Sequence, residues 1–81
     1  MARKDDDSGD EALAAEFGRC VTRHREAASL SMAKLAATAG MSRAYLWRIE
    51  QGQTLPTMRN AARIASALEM PLSGLLEGMD I

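Results

Sequence analysis

Thiol and imidazole chemistry are nearly missing from this chain of 81 residues, which has one cysteine and one histidine. Cys20 alone cannot build a disulfide framework within the chain. With His24 as the single imidazole, neither a thiolate nor a histidine metal set can be assembled from one copy. We therefore expect no metal and no cofactor. Aromatic residues are equally sparse, with one phenylalanine, one tyrosine and one tryptophan, and there are two prolines. No apolar run approaches the roughly 18 residues that span a bilayer. The opening MARKDDDSGD lacks the apolar centre of a secretory signal. A cytoplasmic, reducing setting without membrane contact is expected. The chain also shows no nucleophile–base pair and no phosphate loop, so an enzyme is not expected.

Charge is close to balanced, at −1 overall. Its distribution is uneven. Residues 1–11 carry two basic and five acidic side chains, whereas residues 12–81 carry eight basic and six acidic ones. The body is mildly basic and the beginning acidic, an excess too small to establish nucleic-acid binding by itself. The length fits one domain, and a domain this small buries only about 60% of its unfolded surface. Oligomerisation would add burial that the single chain lacks.

Valine and isoleucine are scarce while alanine is abundant, which favours helix over strand. The pattern predicts an all-α domain at 10–78, between a disordered acidic tail at 1–9 and a short C-terminal tail at 79–81. SGDE at 8–11 fits a capping box for a first helix over 10–28, with Leu13, Phe17, Val21 and Ala28 as its inner stripe. Gly18 inside that helix costs about 1 kcal/mol relative to alanine, and it permits close approach of another helix. Ser31 caps a second helix, 32–39, with Leu35, Ala36 and Ala39 inside. Gly40 stops it, because glycine enters the left-handed conformation without penalty. Ser42 caps a third helix, 43–51, with Leu46 and Ile49 inside and Gly52 at its end. Pro56 and Thr57 precede a fourth helix, 58–69, whose inner side reads as Met58, Ala61, Ala62, Ala65 and Leu68. Pro71 breaks that helix, and a fifth, 72–77, carries Leu72, Leu75 and Leu76. Cys20 reads as a half-buried helix residue and His24 as structural. Arg19 and Arg23 form a solvated face with Glu16 or Glu26 as partners.

Two short helices joined by a turn containing glycine form the helix-turn-helix pattern. Ala36, Gly40, Leu46 and Ile49 stand at positions 5, 9, 15 and 18 of a twenty-residue unit starting at Met32. The small Ala36 allows the crossing, Gly40 makes the turn, and Leu46 and Ile49 lock the third helix to the second. With VTRHR, LSMAKLAATAGMSRAYLWRIEQGQTLP and ARIASALEMPLSGLL, the chain resembles the phage repressor/Cro-type helix-turn-helix family, also called the xenobiotic-response-element (XRE) family. The resemblance covers about residues 13–77. It implies a compact five-helix, repressor-like bundle with a central helix-turn-helix that binds double-stranded DNA and regulates transcription.

In that family the third helix enters the major groove with its N-terminal end toward the bases. Arg43, Ala44, Trp47 and Arg48 follow the i, i+1, i+4, i+5 spacing of one helical face, and the resemblance makes them the base-contacting residues. An arginine can donate twice to guanine O6 and N7, a pairing that discriminates by about 1–3 kcal/mol, and Ala44 suits a thymine methyl group. Trp47 either packs on a sugar or thymine methyl or belongs to a protein interface. Phosphate contacts are assigned to Ser31, Met32, Lys34, Ser42, Tyr45, Gln51 and Gln53. Met32 departs from the family, which usually has glutamine there, and leaves that task to the backbone amides after Ser31. The resemblance also implies an ion pair between Arg25 and Glu50 that clamps the third helix.

Family habit and a surplus of apolar residues over core positions point to a homodimer. The residues expected at its interface are Met70, Pro71, Leu72, Leu75, Met79 and Ile81. Such a dimer reads an inverted repeat, with its recognition helices about 34–36 Å apart. The function expected is a sequence-specific transcriptional regulator, most simply a repressor that occludes a promoter. Two alternatives stay open. One is a controller or antitoxin-type protein of a two-gene cassette, whose acidic tail would bind a protein partner. The other is a helical protein-interaction module that no longer binds DNA.

Overall fold

The computed structural model describes the backbone of residues 3–79 and the side chains of residues 10–79. Five helices follow in order: α1 (Arg3–Ala27), α2 (Met32–Ala39), α3 (Arg43–Glu50), α4 (Met58–Ala67) and α5 (Leu72–Leu76). There is no strand among the described residues. α1 packs on α3 and α5, α2 packs on α3 and α4, and α4 meets α5.

Three helix starts are set by hydroxyl caps. Ser31 Oγ accepts from the Lys34 amide at 3.0 Å, Ser42 Oγ from the Tyr45 amide at 3.0 Å, and Thr57 Oγ1 from the Asn60 amide at 3.1 Å. Each cap satisfies an amide with no partner inside the helix, worth about 1 kcal/mol. Gly40 closes α2 at φ 75°, its amide donating to the carbonyls of Ala36 and Ala37. α1 departs from expectation. It begins at Arg3, so Ser8 lies within the helix and SGDE does not start it. Residues 3–9 thus continue the helical backbone ahead of residue 10. Residues 1, 2, 80 and 81 lie outside the described residues.

The core gathers Phe17 and Val21 from α1, Leu35, Ala36 and Ala39 from α2, Leu46 and Ile49 from α3, Ala61, Ile64 and Ala65 from α4, and Leu75 from α5. Cys20 is fully buried rather than half-buried, and Ala28 is exposed beyond the end of α1. The inner face of α4 also differs from the sequence reading: Met58 is 75% exposed and Ala62 lies outside, while Ile64 is fully buried. The physical reason is size. Burying an isoleucine contributes roughly 1.5–3 kcal/mol, far more than an alanine methyl, so Ile64 rather than Ala62 faces inward, and Met58 stays open as the first residue of the helix. α4 stops before Glu69, which takes the left-handed conformation at φ 60°.

Gly18 marks a close helix crossing. A Cβ there would lie 2.5 Å from the Ile49 carbonyl oxygen and 2.7 Å from that of Glu50. Backbone thus meets backbone where α1 crosses the end of α3, a contact that only glycine permits. At Gly40, by contrast, a Cβ would meet nothing within 4 Å, and the cost of a side chain is only that of positive φ. Gly18→Ala is therefore expected to destabilise by about 3 kcal/mol through overpacking. Gly40→Ala is expected to cost about 1–2 kcal/mol through its backbone conformation. Urea unfolding of both variants checks the order, and a Gly18→Ala protein as stable as the parent would contradict the crossing.

Candidate nucleic-acid interface

α3 divides cleanly. Leu46 and Ile49 are fully buried, while Arg43, Ala44, Trp47 and Arg48 are all exposed. The four outer residues line one shallow depression together with Gln53 from the following loop. Helical period accounts for the split, since positions 43, 44, 47 and 48 fall on one side and 46, 49 and 50 on the other. Trp47 is 46% exposed, so its ring is not a core element. Among the described residues neither Arg43 nor Arg48 has a carboxylate partner. The face therefore presents two cations, an indole and a methyl group on a rigid, capped helix.

The residues expected at phosphate sort into three groups. Lys34, Gln51 and Gln53 are exposed. Ser31 and Ser42 are exposed and serve as caps; each hydroxyl accepts from an amide and keeps its own proton for an outside acceptor. Met32 is different: it is half-buried and packs against the core, which is where a thioether without a strong hydrogen-bonding group gains most. Its side chain is thus structural, and only the helix start it belongs to remains at the surface. Tyr45 is half-buried, and its hydroxyl accepts from Asn60 Nδ2 at 3.1 Å. The Arg48 guanidinium lies over the Tyr45 ring, 5.6 Å from its centroid. Asn60 was not visible as a site residue in the sequence, because its partner lies 15 residues away on another helix.

Arg25 and Glu50 form a two-pronged pair. Arg25 Nε donates to Glu50 Oε2 at 2.8 Å and Nη2 to Oε1 at 3.1 Å. Nη1 donates to the Leu30 carbonyl at 2.9 Å, and Thr22 Oγ1 donates to Glu50 Oε1 at 2.9 Å. The Glu50 side chain is only 2% exposed, that of Arg25 15%. The hydrogen bond to Glu50 raises the Arg25 pKa above the ordinary arginine value, against the opposing pull of burial. A raised pKa keeps the cation in place below the unfolded value and loses it only in strong alkali, so the arginine stays charged in acid and at neutrality. Nearby, Arg19 pairs with Glu16, and Arg23 reaches Cys20 Sγ at 3.7 Å.

The residues expected at a dimer interface are scattered by the fold. Leu75 is fully buried and cannot meet a second chain. Its side chain is a core element because α5 is short and needs one apolar anchor to dock. Met70, Leu72 and Met79 are half-buried against the core, so Met79 belongs to the fold rather than to a tail. Pro71 is exposed and Ile81 lies outside the described residues. A different apolar surface stands open: a groove lined by Leu55, Pro56, Met58, Leu72, Leu76 and Met79. His24 is half-buried, with its Nε2 shielded and without a protein partner. Among the described residues no cluster of His, Cys, Asp or Glu could hold a metal ion, and no helix is long and apolar enough to cross a membrane.

Short crossed helices, a glycine turn and an outward basic face together define a helix-turn-helix DNA-binding domain. A family model for the helix-turn-helix domain matches residues 16–76. The chain belongs to this family of DNA-binding transcriptional regulators, which includes the XRE type. It is 31% identical to the restriction-modification controller protein C.AhdI from Aeromonas hydrophila, over 79% of this chain and 97% of that one, with a TM-score of 0.77. It is 30% identical to an HTH_3 family transcriptional regulator from Vibrio cholerae, with a TM-score of 0.79 over 83% of this chain. The match spans 38% of that regulator's chain. No curated protein matches.

The buried pair generates the prediction for this site. Arg25→Ala strands the Glu50 carboxylate away from water and is expected to destabilise the fold by about 3 kcal/mol. Arg25→Ala combined with Glu50→Leu removes both charges and should recover a large part of that loss. Chemical unfolding of the single and double variants tests this, and an unaltered midpoint for Arg25→Ala would show that the pair carries no stability.

Proposed function

We propose that this protein is a sequence-specific transcriptional regulator that binds an inverted-repeat operator as a homodimer and represses by occluding a promoter. The observation that carries the reading is the outer face of α3. Arg43, Ala44, Trp47 and Arg48 share one depression with Gln53 while the opposite side of the helix is locked into the core. A helix so held can enter a major groove as a rigid body, with its arginines donating to guanine edges. Lys34, Ser31, Ser42, Tyr45, Gln51 and Gln53 fix its register through phosphates, contacts that position the protein but specify no base.

The homodimer in this reading uses the groove of Leu55, Met58 and Leu76, flanked by Pro56 and Leu72. These three leucine and methionine side chains are 37%, 75% and 38% exposed, and among the described residues they are the large apolar side chains left open outside the outer face of α3. A contiguous apolar surface of this kind is what a second copy would cover. A second reading, control of a restriction–modification cassette, is favoured by the likeness to C.AhdI along nearly the whole length of that controller. It changes the genes regulated and leaves the DNA-binding chemistry the same.

Selection from a random duplex pool, followed by titration at two salt concentrations, tests the reading. The expected result is a two-fold symmetric consensus whose affinity falls steeply with salt. Arg43→Ala should lose about 1–3 kcal/mol of discrimination at one symmetric position. Absence of enrichment would favour the interaction-module alternative, with Trp47 as its anchor. Sedimentation of the wild type should give a dimer at micromolar concentration and Met58→Asp a folded monomer. A wild type that remains monomeric with and without DNA would remove the dimer.

A further inference from the structure

The contact between α4 and the recognition helix has a direction. An amide nitrogen such as Asn60 Nδ2 can only donate, so the Tyr45 oxygen is the acceptor of their 3.1 Å hydrogen bond. A phenol that accepts from one side keeps its single proton for another. No protein acceptor takes that proton among the described residues. The same ring supports Arg48 on its face at 5.6 Å, a cation–π contact between residues one helical turn apart. Asn60 itself is held in place, since its backbone amide donates to the Thr57 cap at 3.1 Å in the first turn of α4. Thr57, Asn60, Tyr45 and Arg48 therefore form a chain of contacts that starts at a helix cap and ends at a cation of the exposed α3 face.

We infer that Asn60 is a positioning residue of the DNA-binding surface: by donating to Tyr45 it leaves the phenol O–H free to donate to a duplex phosphate and steadies the ring that carries Arg48. The inference rests on the DNA-binding reading above and adds a residue outside the helix-turn-helix to it. Two consequences separate the hydroxyl from the ring. Tyr45→Phe removes the donor and keeps the ring, so it weakens binding to all duplexes alike. Tyr45→Leu also removes the support under Arg48, so it relaxes preference at the base pair that Arg48→Ala affects.

The test is a double-variant cycle on Tyr45→Phe and Asn60→Ala, read as affinity for a labelled mixed-sequence duplex and for the duplex enriched by selection. Loss of one hydrogen bond to a charged group is expected to weaken binding about tenfold. Because Asn60 acts through Tyr45, Asn60→Ala should weaken binding in the parent and add nothing in the Tyr45→Phe background. Asn60→Asp guards against a folding defect in the alanine variant, since an acidic residue suits the first turn of α4. Its carboxylate would capture the phenol proton, and binding should fall at least as far as in Tyr45→Phe. Additive losses in the double variant would overturn the inference, as would parental affinity in Asn60→Asp. A wild type that binds neither duplex would overturn the DNA-binding reading and this inference with it. A wild type that binds, with Tyr45→Phe unimpaired, would overturn the inference alone.

Discussion

A carboxylate sits inside this small domain, and the placement of α3 follows from it. Glu50 ends α3 with its side chain almost wholly out of water, and accepts from Arg25 twice and from Thr22 once. Burying a charge costs several kcal/mol unless its geometry and hydrogen bonds are good. Here the partners come from α1 alone, and Arg25 also donates to the Leu30 carbonyl in the link to α2. The pair thus ties three segments at one point. Gly18 lies two turns earlier on the same helix and lets the α1 backbone touch the last carbonyls of α3. A bare patch and a guanidinium, spaced along one helix, receive the C-terminal end of another.

That docking matters because α3 has eight residues. A helix so short is marginal in isolation, and its persistence depends on packing rather than propensity. Ser42 caps its first turn, Leu46 and Ile49 bury its inner side, and α1 fixes its far end. The outer side is then left with a defined orientation and no structural duty. Arginine, alanine and tryptophan can occupy it without affecting the core, so the chemistry of this face can vary while the scaffold stays the same.

Much of this was legible before any coordinates. Ser31, Ser42 and Thr57 announce helix starts because a side-chain oxygen satisfies an amide within three residues. Gly40 announces a stop for a comparable local reason, and the 36, 40, 46, 49 pattern places the turn. The inward side of α3 follows from its period. Other features were not legible. Met58 and Ile64 both offer a large apolar side chain to the inner side of α4, and the two alanines between them weaken the periodic signal. Leu75 and Leu76 differ by one position in sequence, yet one is wholly buried and the other open. The start of α1 was read at a capping box, but the helix continues upstream of it. Met32, at the start of α2, packs against the core because its own side chain is apolar.

Sequence by itself determined the caps at Ser31, Ser42 and Thr57, the glycine turn at Gly40 and the inner side of α3, because each depends on interactions within about one helical turn. Tertiary structure alone decided which apolar residues remained open at Leu55, Met58 and Leu76, how tightly α1 meets α3, and that Asn60 reaches Tyr45. Those outcomes depend on volume competition and on hydrogen bonds between residues far apart in the chain, and no local pattern carries them.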